Sequence, residues 1–284
     1  MTYFSSLCER QFHLTQNKTN VRTEVLAGIT TFATMSYVLA TIPNILGNAG
    51  LPKGAVLTAL IVLVMVCSIA MALYTNRPFV LAPGMSSVAI IGSTIGEVGI
   101  PLDVAFGLIF LSGLIFVLIS FIGLRELVVT AIPASVKISI SAGIGLFIAL
   151  IGLKSGGIIV SSASDSLTFG NLTAPKALLF IVGFVVLLLL EARKFRGSMI
   201  VSILVVTLLG IPLGITLVPE TMFNPPVSMA QVAFKIDILG ALKPEYFPWL
   251  FTFFVPDFFG TMGIILGVAN RANWLDENGN MPGI

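Results

Sequence analysis

Charge is scarce in this sequence. Only 10% of the 284 residues are Asp, Glu, Lys or Arg, whereas a soluble globular domain carries about 25%. So few charges cannot make a water-soluble surface, and lipid is the solvent expected for most of the exterior. Histidine is scarcer still: His13 stands alone, which excludes a histidine-built metal site. Two cysteines, Cys8 in a polar tail and Cys67 in an apolar stretch, make no disulfide framework. A net charge of +2 offers no surface to a nucleic acid. The apolar stretches hold no paired carboxylates, zinc-type His motif or Ser/His set, so a membrane-embedded enzyme is not expected and no cofactor is implied. Residues 1–23 lack the apolar centre of a signal peptide. They read as a cytoplasmic tail, and the first apolar stretch serves as the membrane address.

What is abundant is apolar sequence, 56% of the chain. A helix needs about 20 mostly apolar residues to cross a bilayer, and about eight stretches qualify. They cover roughly 25–46, 55–75, 79–97, 104–123, 136–153, 175–192, 198–218 and 247–269. Sheet edges are not tolerated in hydrocarbon, so the expected fold class is an all-α membrane protein. An even number of spans puts both ends on one side. With that side cytoplasmic, Lys53, Lys154, Lys176, Lys235 and Lys243 fall outside, and the other ten of the 15 basic residues fall inside. This satisfies the positive-inside bias. Arg193-Lys194-Phe195-Arg196 is the densest anchor, although each basic residue is equally well explained by snorkelling from a helix end. Asn171-Leu172-Thr173 fits a glycosylation sequon in an outer loop, relevant only on a eukaryotic secretory route.

The third span is expected to be discontinuous. It opens Phe79-Val80-Leu81-Ala82-Pro83-Gly84-Met85-Ser86-Ser87-Val88. Pro83 pushes Ala82 into an extended conformation, and Gly84 allows a tight turn. An extended Arg77–Pro83 reaches about 20 Å, near the bilayer middle; helical residues 84–97 rise roughly 21 Å and complete the crossing. Such a break leaves free N–H groups and a partial positive charge at mid-membrane. Broken spans of this kind mark substrate sites in secondary transporters. A proline kink that serves packing alone is the competing reading.

Asp257 is the acid placed near the middle of a span, among Phe253, Phe254, Phe258 and Phe259. Glu24, Glu97, Asp103, Glu126 and Glu191 all fall at span ends. A carboxylate at the bilayer centre costs at least about 2.5–3.5 kcal/mol, which calls for a partner, a cavity or a bound proton. It can accept a ring N–H and carry a coupled proton; a structural cap or helix–helix hydrogen bond is the alternative. An internal echo joins the first and last spans. Phe32, Thr34, Met35 and Leu39 align with Phe259, Thr261, Met262 and Leu266. One span runs outward and the other inward, as in an inverted-topology repeat of seven spans.

The segments Thr23–Phe32, Leu81-Ala82-Pro83-Gly84-Met85, Ile132–Lys137, Ser141–Ala149 and Leu275–Asn280 together resemble the nucleobase:cation symporter-2 (xanthine/uracil permease) family, closest to its adenine/guanine/hypoxanthine permease-like branch. The resemblance implies fourteen spans in a 7+7 inverted repeat. Spans 1–4 (24–123) and the eighth (247–284) would belong to a substrate-binding core, spans 5–7 (124–218) to a gate, and 219–246 would be an extracytoplasmic loop. It implies proton symport of purine nucleobases such as hypoxanthine, guanine or adenine across the plasma membrane, with the N-terminus cytoplasmic and a homodimer as the candidate assembly. Asp257 matches the family's base-binding, proton-sensing acid, and backbone N–H groups after Pro83 would meet acceptors on the base. Where the branch reads Pro-Gly-Met-Gly-Leu-Asn, this chain has Pro83-Gly84-Met85-Ser86-Ser87-Val88. Where the branch has a second acid, this chain has Gly260. Ser86, Ser87 and Thr261 are the candidate replacement hydroxyls. On this reading the second repeat has only begun at Ile284, and the chain is expected to be the N-terminal part of a transporter. An anion transporter of the same architecture and an inactive truncated fragment are the alternatives.

Overall fold

The computed structural model describes residues 3–76, 79–96, 98–123, 134–161, 167–195, 197–218 and 225–271. Arg77, Glu97, Ile132, Pro133, Arg196 and the Leu275–Asn280 motif lie outside these residues. The described chain is mostly helical. In order it forms α1 (Tyr3–Phe12), α2 (Val21–Met35), α3 (Tyr37–Asn48), α4 (Lys53–Thr75), α5 (Met85–Gly96), α6 (Leu102–Phe121) and α7 (Ala134–Gly156). Then follow α8 (Pro175–Ala192), α9 (Ser198–Gly210), α10 (Ile238–Ala241) and α11 (Phe247–Arg271). Among the described residues four helical stretches are long and apolar enough to cross a bilayer: Val21–Asn48, α4, α6 and α8.

The first of these is not one uninterrupted rod. Asn20 caps α2 by accepting the Thr23 N–H at 2.9 Å, and Thr19 donates to Glu24 in the first turn. The helix hitches at Ser36, where Leu39 N–H bonds the Ser36 carbonyl. Pro43 inside α3 has no N–H to continue the ladder. The expected span 198–218 is also shorter as a helix. It stops at Gly210, whose carbonyl takes the N–H groups of both Ile215 and Thr216. Pro212 cannot donate there, and Gly214 adopts φ +66°.

An all-helical chain was expected. The described chain also holds a short antiparallel hairpin in the loop before α8, β1 (Ile159–Ser161) with β2 (Leu167–Phe169), in register Val160↔Thr168. Its β-branched residues favour the extended form once the chain has left the apolar helix.

Two compact units divide the chain. One comprises Met1–Pro43, Leu57–Ala82 and Gly152–Ser228; the other comprises Asn44–Val56, Pro83–Ile151 and Met229–Ile284. In the first, α8 packs on α9. Ser202 donates to the Gly183 carbonyl at 2.7 Å, and a Cβ on Gly183 would meet the Val206 side chain. Such small-residue contacts bring apolar helices close.

In the second unit, α6 is the central rod, packed against α5, α10 and α11. Ala105 and Leu108 on α6 and Phe253 on α11 are buried to within 1%. The loop before α11 is structured where described. Asp237 N–H bonds the Asp103 carbonyl at 2.9 Å, and the Asp237 carboxylate caps α10 through Gly240 N–H at 2.8 Å. Gly107 makes this docking feasible: a Cβ there would run into the Asp237 carbonyl.

Candidate functional site

Residues 79–84 are not helical, and α5 begins only at Met85, with Val88 N–H bonding the Gly84 carbonyl. The break placed at Pro83-Gly84 is therefore present. Its cause is local: Pro83 disfavours helix at Ala82. The N–H groups of Met85, Ser86 and Ser87 precede the first intrahelical bond and have no backbone partner among the described residues.

In the first unit, Ser68 of α4 holds the non-helical segment. Its Oγ accepts the Leu81 N–H at 3.0 Å and lies 3.4 Å from the Leu81 carbonyl as a donor. In hydrocarbon no water replaces that partner. Ser68→Ala is expected to lower the melting temperature in detergent by a few degrees, since a hydrogen bond contributes about 0.5–1.5 kcal/mol net. Ser68→Thr should hold it near the parent value.

In the second unit, α5 meets α11. Ser87 is buried, and its Oγ donates to Asp257 Oδ1 at 2.5 Å, joining residues 170 positions apart. Asp257 is half-buried on α11. Around it Phe253 and Phe258 are 1% and 3% exposed. Phe258 meets Phe116 of α6 edge-on at 6.0 Å, and Phe254 and Phe259 at 5.4 and 5.1 Å. Among the described residues the carboxylate has one hydroxyl partner, and Phe253 and Phe254 lie one turn before it on the same helix. Pro256 precedes it and supplies no N–H to the ladder, which leaves the Thr252 carbonyl without its usual donor one turn away.

The expected residues separate accordingly. Ser87 and Asp257 are brought together. Pro83, Met85 and Ser86 are half-buried and Gly84 is exposed at the head of α5. Val88, where the branch has an amide, is buried. Thr261 is exposed, and its hydroxyl donates to the Asp257 carbonyl of its own helix at 2.7 Å. Its proton is directed at that carbonyl, and its oxygen keeps lone pairs that can accept. Sequence reasoning passed over Pro256, Ser68 and the partnership with Phe116. Pro256 was in plain sight; the other two depend on tertiary neighbours.

A cavity of about 470 Å³ lies elsewhere, in the first unit, between α2, α4 and Phe79–Val80. Its walls are apolar apart from Glu24, Thr31 and Ser68. It holds no mid-span acid, and the Ser87–Asp257 pair is not part of it.

The sequence profile described as Permease family, of xanthine/uracil permease type, matches residues 22–281. A permease-type protein of Methanocaldococcus jannaschii is 39% identical over 275 residues, covering 96% of this chain and 63% of the relative. The adenine permease AdeP of Escherichia coli is 35% identical over 277 residues, 97% of this chain and 62% of the relative. The guanine/hypoxanthine permease PbuO of Bacillus subtilis is 33% identical over 283 residues, 96% and 64%. The chain therefore spans somewhat less than two thirds of the length of the curated relatives it matches.

Proposed function

This chain belongs to the Permease family, and on that premise we propose that it forms part of a proton-coupled secondary transporter of purine nucleobases such as hypoxanthine, guanine or adenine. The observation that carries the reading is the Ser87–Asp257 hydrogen bond at the head of a helix that begins within its span. A purine base presents ring N–H donors beside oxo or ring-nitrogen acceptors. A carboxylate next to helix-head N–H groups complements that pattern. The relatives named for adenine and for guanine/hypoxanthine support the substrate class. Asp257, the mid-span acid, is the group we assign to the proton.

The wider organisation we propose is a 7+7 inverted repeat in the plasma membrane with a cytoplasmic N-terminus. Spans 1–4 and the eighth would form the substrate-binding core, and 124–218 the gate. The echo between α2 and α11 supports it: Thr34 and Thr261, at matching places, both close on the carbonyl four residues back.

The test is uptake of labelled adenine, guanine and hypoxanthine by cells that lack their own purine permeases and express the complete reading frame holding this chain. Saturable uptake that a protonophore abolishes is expected, with sulfate and bicarbonate failing to compete. Competition by either anion would point to an anion carrier, a role that the Asp257 charge opposes. In the same assay Ser87→Ala should raise KM by about tenfold, the equivalent of one hydrogen bond, and Ser87→Thr should restore it.

A further inference from the structure

Hydroxyls on helices in lipid ordinarily close on their own backbone. Thr30, Thr31, Thr41, Ser120, Thr207 and Thr261 each donate to the carbonyl four residues back. Others serve a partner further along the chain, as Ser87 serves Asp257 and Ser202 serves Gly183. Among the described residues, two buried hydroxyls belong to neither group. Thr94 on α5 and Ser112 on α6 are 0% exposed, and neither oxygen has a hydrogen-bond partner among those residues. A buried hydroxyl left in this state is unfavourable, and turning it onto its own helix would relieve most of that penalty. That both stay uncommitted calls for an explanation.

Their positions supply one. Thr94 lies seven residues after Ser87, two turns along the same face of α5 and about 10 Å toward its end. The Thr94 carbonyl accepts the Ile100 N–H, which ties this level to the connection leading into α6. Ser112 lies one turn before Phe116, whose ring meets Phe258, the neighbour of Asp257. Since α5, α6 and α11 pack on one another, Thr94 shares with Ser87 the α5 face, and Ser112 shares with Phe116 the α6 face, that border the Ser87–Asp257 pair. Among the described residues of α5, α6 and α11 and their leads, the other titratable groups stand at helix ends. Asp103 on α6 caps Val104 N–H, Asp237 caps α10, Glu245 belongs to the turn before α11, and Arg271 is the last residue of α11. The sequence of α5 contains none.

We propose that Thr94 and Ser112 form a hydroxyl relay along these faces, through which Asp257 exchanges its proton with the Gly99–Leu102 end of the unit. This rests on the reading of Asp257 as the proton-carrying group. A hydroxyl donates its proton forward and takes one from behind, so each returns unchanged and the net result is one proton on the carboxylate. The interval from Thr94 to Ser87 exceeds a single hydrogen bond, so transiently admitted water completes the line.

The test uses Thr94→Val and Ser112→Ala, which keep the shape and remove the hydroxyl. Hydrogen–deuterium exchange of the Asp257 carboxyl is followed by infrared spectroscopy on the purified chain, the band being identified by its loss in Asp257→Asn. Exchange should slow by roughly tenfold, the kinetic equivalent of one lost hydrogen bond, and Thr94→Ser should restore it. In the complete transporter, proton-driven uptake should fall by a similar factor, while base-for-base counterflow, which moves no net proton, stays at the parent rate. Melting temperatures should hold or rise, because an unsatisfied group is removed. Unchanged exchange in both variants overturns the relay, as does a parallel fall of uptake and counterflow that Thr94→Ser fails to rescue. If Asp257→Asn abolishes uptake while both hydroxyl variants behave as the parent, only the relay is lost. If Asp257→Asn leaves uptake intact, the proton role of Asp257 is lost and the relay with it.

Discussion

Asp257→Asn is expected to lower nucleobase affinity by about 10- to 150-fold and to abolish proton-driven uptake. A hydrogen bond to a charged group contributes about 1.5–3 kcal/mol, and each 1.4 kcal/mol is a factor of ten in affinity. The amide keeps the shape of the carboxylate and can still receive the Ser87 hydroxyl. It carries no charge and takes up no proton, so the loss separates electrostatics from packing. Asp257→Ala goes further by leaving the Ser87 hydroxyl buried without its partner, and should also reduce thermal stability. Asp103→Asn provides the contrast. That acid sits at the start of α6 and caps Val104 N–H, and its loss should leave base affinity within about twofold of the parent, a change of about 0.4 kcal/mol. Binding to the purified protein by calorimetry and uptake in cells read the two consequences independently.

Gly107→Ala is expected to destabilise the second unit, whereas Gly113→Ala on the same helix should be neutral or stabilising. Both glycines lie within α6, where alanine is intrinsically favoured over glycine by about 0.8–1 kcal/mol. The surroundings decide the sign. Nothing lies within 4 Å of a Cβ on Gly113, but a Cβ on Gly107 would overlap the Asp237 carbonyl and press on Ala241. Overpacking of this kind typically costs about 1–3 kcal/mol, and the obstacle is main chain that is itself tied to Asp103 through Asp237 N–H. The two variants should therefore move the melting temperature in detergent in opposite directions, with Gly107→Ala also lowering the yield of monodisperse protein. Equal shifts would mean that α10 does not dock on α6 as described.

The parts of this molecule that were legible in its sequence are those whose signal is local. The apolar stretches announce helices because lipid permits nothing else for a lone segment. Pro83-Gly84 announces a break because proline and glycine act on their immediate neighbours. Asp257 stands out because a lone acid amid phenylalanines is costly wherever it points. The family followed from short motifs in combination. What stayed hidden depends on distant neighbours. Ser87 could be named as one hydroxyl among several, but that it and not Ser86 meets Asp257 is settled by how α5 packs on α11. That Thr261 turns its hydroxyl onto the Asp257 carbonyl was likewise not legible from the sequence. The small helix α10 was invisible in a loop without apolar periodicity, and its docking is legible only from Gly107. The early stop of α9 was signalled by Pro212 and Gly214, but hydropathy alone carries on past them.

The central claim is that Ser87 and Asp257 act as one polar unit within the lipid and that the base binds there. A double-mutant cycle on nucleobase affinity tests it most directly, with Ser87→Ala and Asp257→Ala made singly and together in the complete transporter. Because the hydroxyl acts through the carboxylate, the double variant should bind no more weakly than Asp257→Ala alone. If the two losses multiply instead, the groups work at separate places and the site described here is not where the base is held.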